Sequence, residues 1–120
     1  MKRHNPEAAM QIALFEWISY QKDLRDHVLH IPNEGKRSWV YGKQLKMMGL
    51  RKGASDIFVA LPRNGYHGAW IELKTEKGKP TKEQVQFLED MKKVGYFTYV
   101  SYGLNDAMEI VKWYINDSRP

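Results

Sequence analysis

Apolar residues recur along this chain at two periods, helical and alternating, and the switches between them divide it into elements. Ala8, Ile12, Phe15 and Ile18 follow helical spacing behind Asn5-Pro6, an N-cap with proline at the first helical position, so the chain opens on a long amphipathic helix. After the polar stretch from Gln21 to Asp26, the run His27-Val28-Leu29-His30-Ile31 stops at Pro32 and predicts an edge strand. Asn33 to Arg37 is a charged loop. Trp39, Val40, Leu45 and Met48 predict a second, shorter helix closed by Gly49, with Gly42 as a weak point inside it.

Ile57 to Leu61 and Ala69 to Lys74 are apolar enough for buried strands. Asn64-Gly65 between them is a strong hairpin signal, so the two strands are expected to be antiparallel neighbours. Gly78-Lys79-Pro80 breaks the chain, and Thr81-Lys82-Glu83-Gln84 is a capping box that starts a third helix with Val85, Leu88 and Met91 inward. Gly95 ends that helix, and Tyr96 to Ser101 forms another strand. Asn105 is expected to cap a last helix carrying Ala107, Ile110, Val111 and Tyr114, before a frayed tail at 116–120. The predicted order is α-β-α-β-β-α-β-α: an α/β fold with a mixed sheet and helices on both faces. Its 120 residues suit one compact domain without linkers or repeats.

Charge adds a first hint of partner. Nineteen Lys and Arg against fourteen Asp and Glu give a net charge of +5, which biases the surface toward polyanions such as nucleic acid. The chain has no cysteine, which excludes disulfides, thiolate catalysis and cysteine-based zinc sites, so any metal must be held by oxygen or imidazole. No apolar run approaches the roughly 18 residues of a membrane span, and Met1 to Pro6 lacks the apolar stretch of a signal peptide. A soluble, cytoplasmic protein is expected, of a size that fits a viral or mobile-element origin.

Glu72 and Lys74 stand out chemically, because they lie two apart on an otherwise hydrophobic strand and so share a face. An acid and an amine on a core strand cost desolvation free energy unless they pair, bind a metal or react. A solvent-facing salt bridge is the plainer alternative. Asp56 immediately precedes the strand on which the Asn-Gly turn returns, and the hairpin can bring it beside Glu72. Two neighbouring carboxylates repel unless a divalent cation sits between them. The plainer role for Asp56 is as a strand-start residue after Gly53-Ala54-Ser55.

Asp56, a hairpin, Glu72-Leu73-Lys74 and then Gln84 on the next helix together resemble the PD-(D/E)XK nuclease superfamily, in particular its VRR-NUC branch. The resemblance runs from Glu7 and Gln11, through Asn33-Glu34 and the segment from Gly49 to Asp56, to Gly95-Tyr96. Ser55 departs from the proline common in the superfamily, and Ala54 from the valine common in the branch. The resemblance implies that Asp56, Glu72 and the Leu73 backbone carbonyl hold Mg²⁺ or Mn²⁺, with Glu7 near the ion through water. It also implies that Lys74 positions or activates the attacking water and that Gln84 lies at the site. Glu7 is equally explained by the helix dipole, Glu16 competes with it as the helix acid, and Gln84 is equally explained by its capping box.

Lys36, Arg37, Lys43, Lys46, Arg51, Lys52, Lys77 and Lys79 flank the proposed site in sequence and are the candidate phosphate contacts. His27, His30 and His67 form no metal-ligand spacing and read as packing or surface residues. Trp39 is a candidate for base stacking. The expectation is a metal-dependent DNA endonuclease, which the resemblance extends to branched or junction DNA and to a homodimer. A non-catalytic nucleic-acid-binding module would leave the Asp56, Glu72 and Lys74 constellation unexplained. A glycosidase using paired carboxylates would leave Lys74 and the positive surface without a role.

Overall fold

The computed structural model describes residues 5–32 and 39–116. The elements follow the expected order: α1 (Pro6–Ser19), β1 (Val28–His30), α2 (Trp39–Met47), β2 (Ile57–Val59), β3 (Ala69–Lys74), α3 (Lys82–Lys93), β4 (Phe97–Tyr102) and α4 (Leu104–Ile115). The sheet runs β1-β2-β3-β4, antiparallel except for the parallel pair β3 and β4. Among the described residues, no helix is long and apolar enough to cross a membrane.

Local chemistry accounts for most boundaries. The Asn5 side chain accepts from Ala8 N at 3.1 Å and starts α1. The Thr81 hydroxyl accepts from Gln84 N at 3.2 Å while Gln84 Oε1 accepts from Thr81 N at 2.7 Å, so the capping box is complete. Asn64 and Gly65 have φ of 54° and 86°, the two positive values that a two-residue hairpin turn demands. Tyr66 N bonds Arg63 O across that turn at 2.8 Å, and Asn64 Nδ2 ties it to Tyr114 O at 2.9 Å.

Four details differ from the sequence-based expectation. β2 ends at Val59 instead of Leu61: Ala60 N makes a last bond to His27 O, but His27 N turns to Leu24 O and leaves that rung half made, and the chain then turns through Pro62 toward the hairpin tip. α4 begins at Leu104 behind Gly103, so Asn105 lies inside the helix and does not cap it. Asp106, one residue on, instead accepts from Tyr102 N and from the Tyr99 hydroxyl, both at 2.8 Å, tying the helix to β4. That hydrogen bond, with a smaller contribution from burial, raises the Tyr99 pKa above its ordinary value. In α1 the buried pair is Leu14 and Ile18, while Ala8 and Ile12 face outward. In α3 the inward stripe is Gln84, Phe87, Leu88 and the half-buried Met91, so Val85 is exposed. A polar residue, Gln84, heads that stripe, and hydrophobicity alone placed its neighbour there.

The sheet's two faces follow from strand parity. Ile57 pairs with Ile71 and Val59 with Ala69 on one face, where Leu14, Ile18, Ala107, Val111 and Tyr114 of α1 and α4 complete the apolar core. Phe58 pairs with Trp70 on the other face, and Trp70 meets Phe87 of α3 edge-on at 4.9 Å between ring centroids. α2 stands apart. It buries no side chain, exposes Trp39, Val40, Tyr41 and Met47, and packs against no other element among the described residues.

Candidate active site

Asp56 sits where β2 and β3 separate. Beyond the Ile57–Ile71 pair, Asp56 Oδ2 accepts from Leu73 N at 3.0 Å, so a carboxylate replaces the next rung of the ladder. On the opposite flank its backbone carbonyl accepts from Ile31 N at 2.7 Å and faces His30 Nδ1 at 3.0 Å. The residue is 8% exposed and held by both neighbouring strands.

Glu72 precedes Leu73 and, by parity, lies on the face that α3 covers. It is fully buried. Its Oε2 accepts from Gln84 Nε2 at 3.1 Å and faces Lys74 Nζ at 3.8 Å, while its backbone carbonyl accepts from Ser101 Oγ at 3.3 Å. Lys74 is itself buried, so the pair is not a solvent-facing salt bridge. Withdrawing two such charges from water costs several kcal/mol per ion before any attraction is counted. At 3.8 Å they do not form the close, multiply bonded pair that offsets such a cost best.

Gln84 serves helix and site together, since its Oε1 caps Thr81 and its Nε2 holds Glu72. The approach of α3 depends on Gly53, which adopts φ +90°. A Cβ there would come within 2.5 Å of Glu83 backbone atoms and 2.8 Å of Gln84 N. Glycine lets the segment leading to Asp56 lie directly against the first turn of α3.

A cavity of about 390 Å³ opens beside Asp56, and its walls include Glu7 and Gln11 of α1, His30, Asp56 and Leu73. Of the two competing helix acids, Glu7 lines the cavity and Glu16 does not. Glu72, Lys74 and Gln84 are not among the lining residues and meet one another beneath α3. His30, expected to be a packing or surface residue, is exposed and stands in this wall. The signal available in sequence was its position: it ends β1, which runs antiparallel to the strand that starts just after Asp56.

Among the described residues no three His, Asp or Glu side chains form a ready-made metal cage. Asp56 and Glu72 are nevertheless two buried carboxylates linked through one peptide, since Asp56 holds the N–H of the residue that follows Glu72. Carboxylate and carbonyl oxygens are the donors that Mg²⁺ and Mn²⁺ take while keeping several waters, so the donor set fits such an ion.

The basic residues do not form one free surface. Arg51 bonds Asp90 at 2.6 Å and lies over the Phe87 ring, and Lys52 pairs with Glu83 at 3.2 Å. Both acids lie below their ordinary pKa. The largest cause is the Arg51 bond for Asp90; for Glu83 it is a bond from its own backbone N–H, with Lys52 next. Lys43 stacks on Trp39 at 5.3 Å, and Lys46, Lys77 and Lys79 are exposed. Lys36 and Arg37, with Asn33 and Glu34, lie outside the described residues.

A family model described as the VRR-NUC domain matches residues 1–105. A solved structure described as a VRR_NUC domain protein superposes with a TM-score of 0.84 at 26% identity, covering 95% of this chain and 91% of the other. No curated protein matches.

Proposed function

The chain belongs to the VRR-NUC domain family, whose fold is of the nuclease PD-(D/E)XK type, and from that membership we propose that it is a Mg²⁺- or Mn²⁺-dependent DNA endonuclease. The observation that carries this reading is the buried constellation at the parting of β2 and β3: Asp56 bonded to the Leu73 peptide, with Glu72 and Lys74 on either side of it. Asp56, Glu72 and the Leu73 carbonyl would hold the ion, with Glu7 reaching it through water. When bound, a divalent cation polarises a phosphate oxygen and lowers the pKa of an associated water toward neutrality.

The chain's own groups do the rest. The Lys74 ammonium orients the attacking water and offsets the charge growing on the pentacoordinate phosphorus. The Gln84 amide holds the Glu72 carboxylate in place. Water adds to phosphorus, the P–O bond to the leaving sugar oxygen breaks, and the product is a cut phosphodiester. Lys43, Lys46, Lys77 and Lys79 supply sequence-independent phosphate contacts, joined by Lys36 and Arg37 and, on release from their acidic partners, Arg51 and Lys52.

In this reading residues 1–120 act as one nuclease domain that recognises DNA structure, such as branched or four-way junctions, as a homodimer. The exposed apolar side chains of α2 are the kind of surface that association covers. A solution mass of twice 14.1 kDa is the corresponding check.

Incubation of supercoiled, linear and four-way-junction DNA with Mg²⁺ or Mn²⁺ tests the proposal. Cutting is expected with metal, none with EDTA, and little or none with Lys74→Ala. DNA that is bound but uncut under every metal condition would instead identify a non-catalytic binding module, and DNA neither bound nor cut would exclude both.

A further inference from the structure

We propose that His30 is part of the divalent-cation site, presenting its Nε2 lone pair to the ion or to a water the ion carries. The inference rests on the metal-dependent reading of Asp56 and adds a nitrogen donor to an oxygen set.

Its basis is the hydrogen bond at the other end of the ring. His30 Nδ1 lies 3.0 Å from the backbone carbonyl of Asp56, and a carbonyl oxygen can only accept, so Nδ1 must carry the proton. In the neutral imidazole this fixes the tautomer and leaves the lone pair on Nε2. A histidine whose one nitrogen donates to a backbone carbonyl is oriented as metal-binding histidines generally are. His30 also lines the cavity shared by Asp56, Glu7 and Leu73.

The sheet fixes the backbone from which this exposed side chain projects. The carbonyl that receives His30 Nδ1 also receives Ile31 N at 2.7 Å, and His30 is paired with Ile57 in the sheet. The imidazole and the Asp56 carboxylate are therefore anchored to the same residue, one through its main chain and one as its side chain. Mg²⁺ is the harder ion and gives up its water oxygens reluctantly, whereas Mn²⁺, a transition metal, accepts a nitrogen donor more readily, so the nitrogen should matter more for Mn²⁺ than for Mg²⁺.

The test uses Mn²⁺ alone with the full chain. Pulsed EPR of the bound ion should show coupling to an imidazole ¹⁴N, strong if the nitrogen ligates directly and weak if it acts through water. His30→Asn keeps an amide donor near the Nδ1 position but removes Nε2. It should abolish the coupling and weaken Mn²⁺ binding by about tenfold, with a smaller effect on Mg²⁺ and an unchanged Tm of the metal-free protein. A wild-type spectrum without ¹⁴N coupling, while Mn²⁺ still binds and Asp56→Asn weakens it, would overturn the role of His30 and leave the Asp56 site standing. Coupling that survives in His30→Asn would overturn it as well. Mn²⁺ binding that Asp56→Asn does not weaken would overturn the underlying metal site and this inference together.

Discussion

On the face covered by α1 and α4, β2 and β3 present Ile57, Val59, Ala69, Ile71 and Leu73, all fully or almost fully buried among apolar neighbours. On the face covered by α3, the same two strands present Phe58 and Trp70 and then, toward the end of β3, Glu72 and Lys74. The strand residues are buried or half-buried on both faces, yet among them only those under α3 include charged side chains. A fold stabilised mainly by the first face can tolerate desolvated charges on the second, and the difference separates residues that hold the protein together from residues that act.

The sharpest way to break this division is to neutralise the charged face. Glu72→Gln should lower the cleavage rate by roughly a hundredfold to a thousandfold. The melting temperature should fall only modestly, because the amide keeps the shape and the bond to Gln84 while Lys74 is left buried without its counter-charge. A large loss of stability with cleavage retained would reverse the roles assigned to the faces.

The complementary change empties the apolar face. Leu14→Ala should cost about 2–5 kcal/mol in denaturant unfolding, with cleavage per folded molecule near that of the wild type. A loss of activity beyond the loss of folded protein would show that the faces are not separable.

Gly53→Ala probes the contact between them. Its Cβ would collide with the first turn of α3 from a backbone conformation that L side chains rarely adopt. A cost of roughly 1–3 kcal/mol is expected, and Gln84 should be displaced from Glu72, so stability and cleavage should fall together.

The smallest effect belongs to the outer surface of α3. Asp90 and Glu83 are held below their ordinary values of 3.8 and 4.5. What they contribute is therefore fully present above those values and lost as pH falls through the lowered ones. Asp90→Asn should flatten that acid limb of the melting profile and leave neutral-pH cleavage unchanged.

The buried strands were legible in sequence because composition and burial agree there, and the element order, the Asn64-Gly65 turn and the Thr81 capping box were legible because each rests on local signals. Glu72 and Lys74 were legible for the opposite reason, as polar residues that break a hydrophobic run. Gln84 was half legible, since its capping role is written in four residues while its bond to Glu72 requires the packing of α3. The true faces of α1 and α3 were not legible, because Ile12 and Val85 are as apolar as the residues that are buried. His30 is the exposed residue the sequence led one to expect, but its bond to a backbone carbonyl 26 positions away is something no side-chain pattern encodes.

The most direct measurement is the single-turnover rate at which wild type and Asp56→Asn cut one labelled four-way junction in Mg²⁺, at protein concentrations where both bind it fully. Metal-dependent cutting by the wild type, slowed at least a hundredfold or so in Asp56→Asn without loss of binding, is the expected result. Equal rates for the two proteins, or a wild type that binds the junction and leaves it intact, would contradict the assignment of this site.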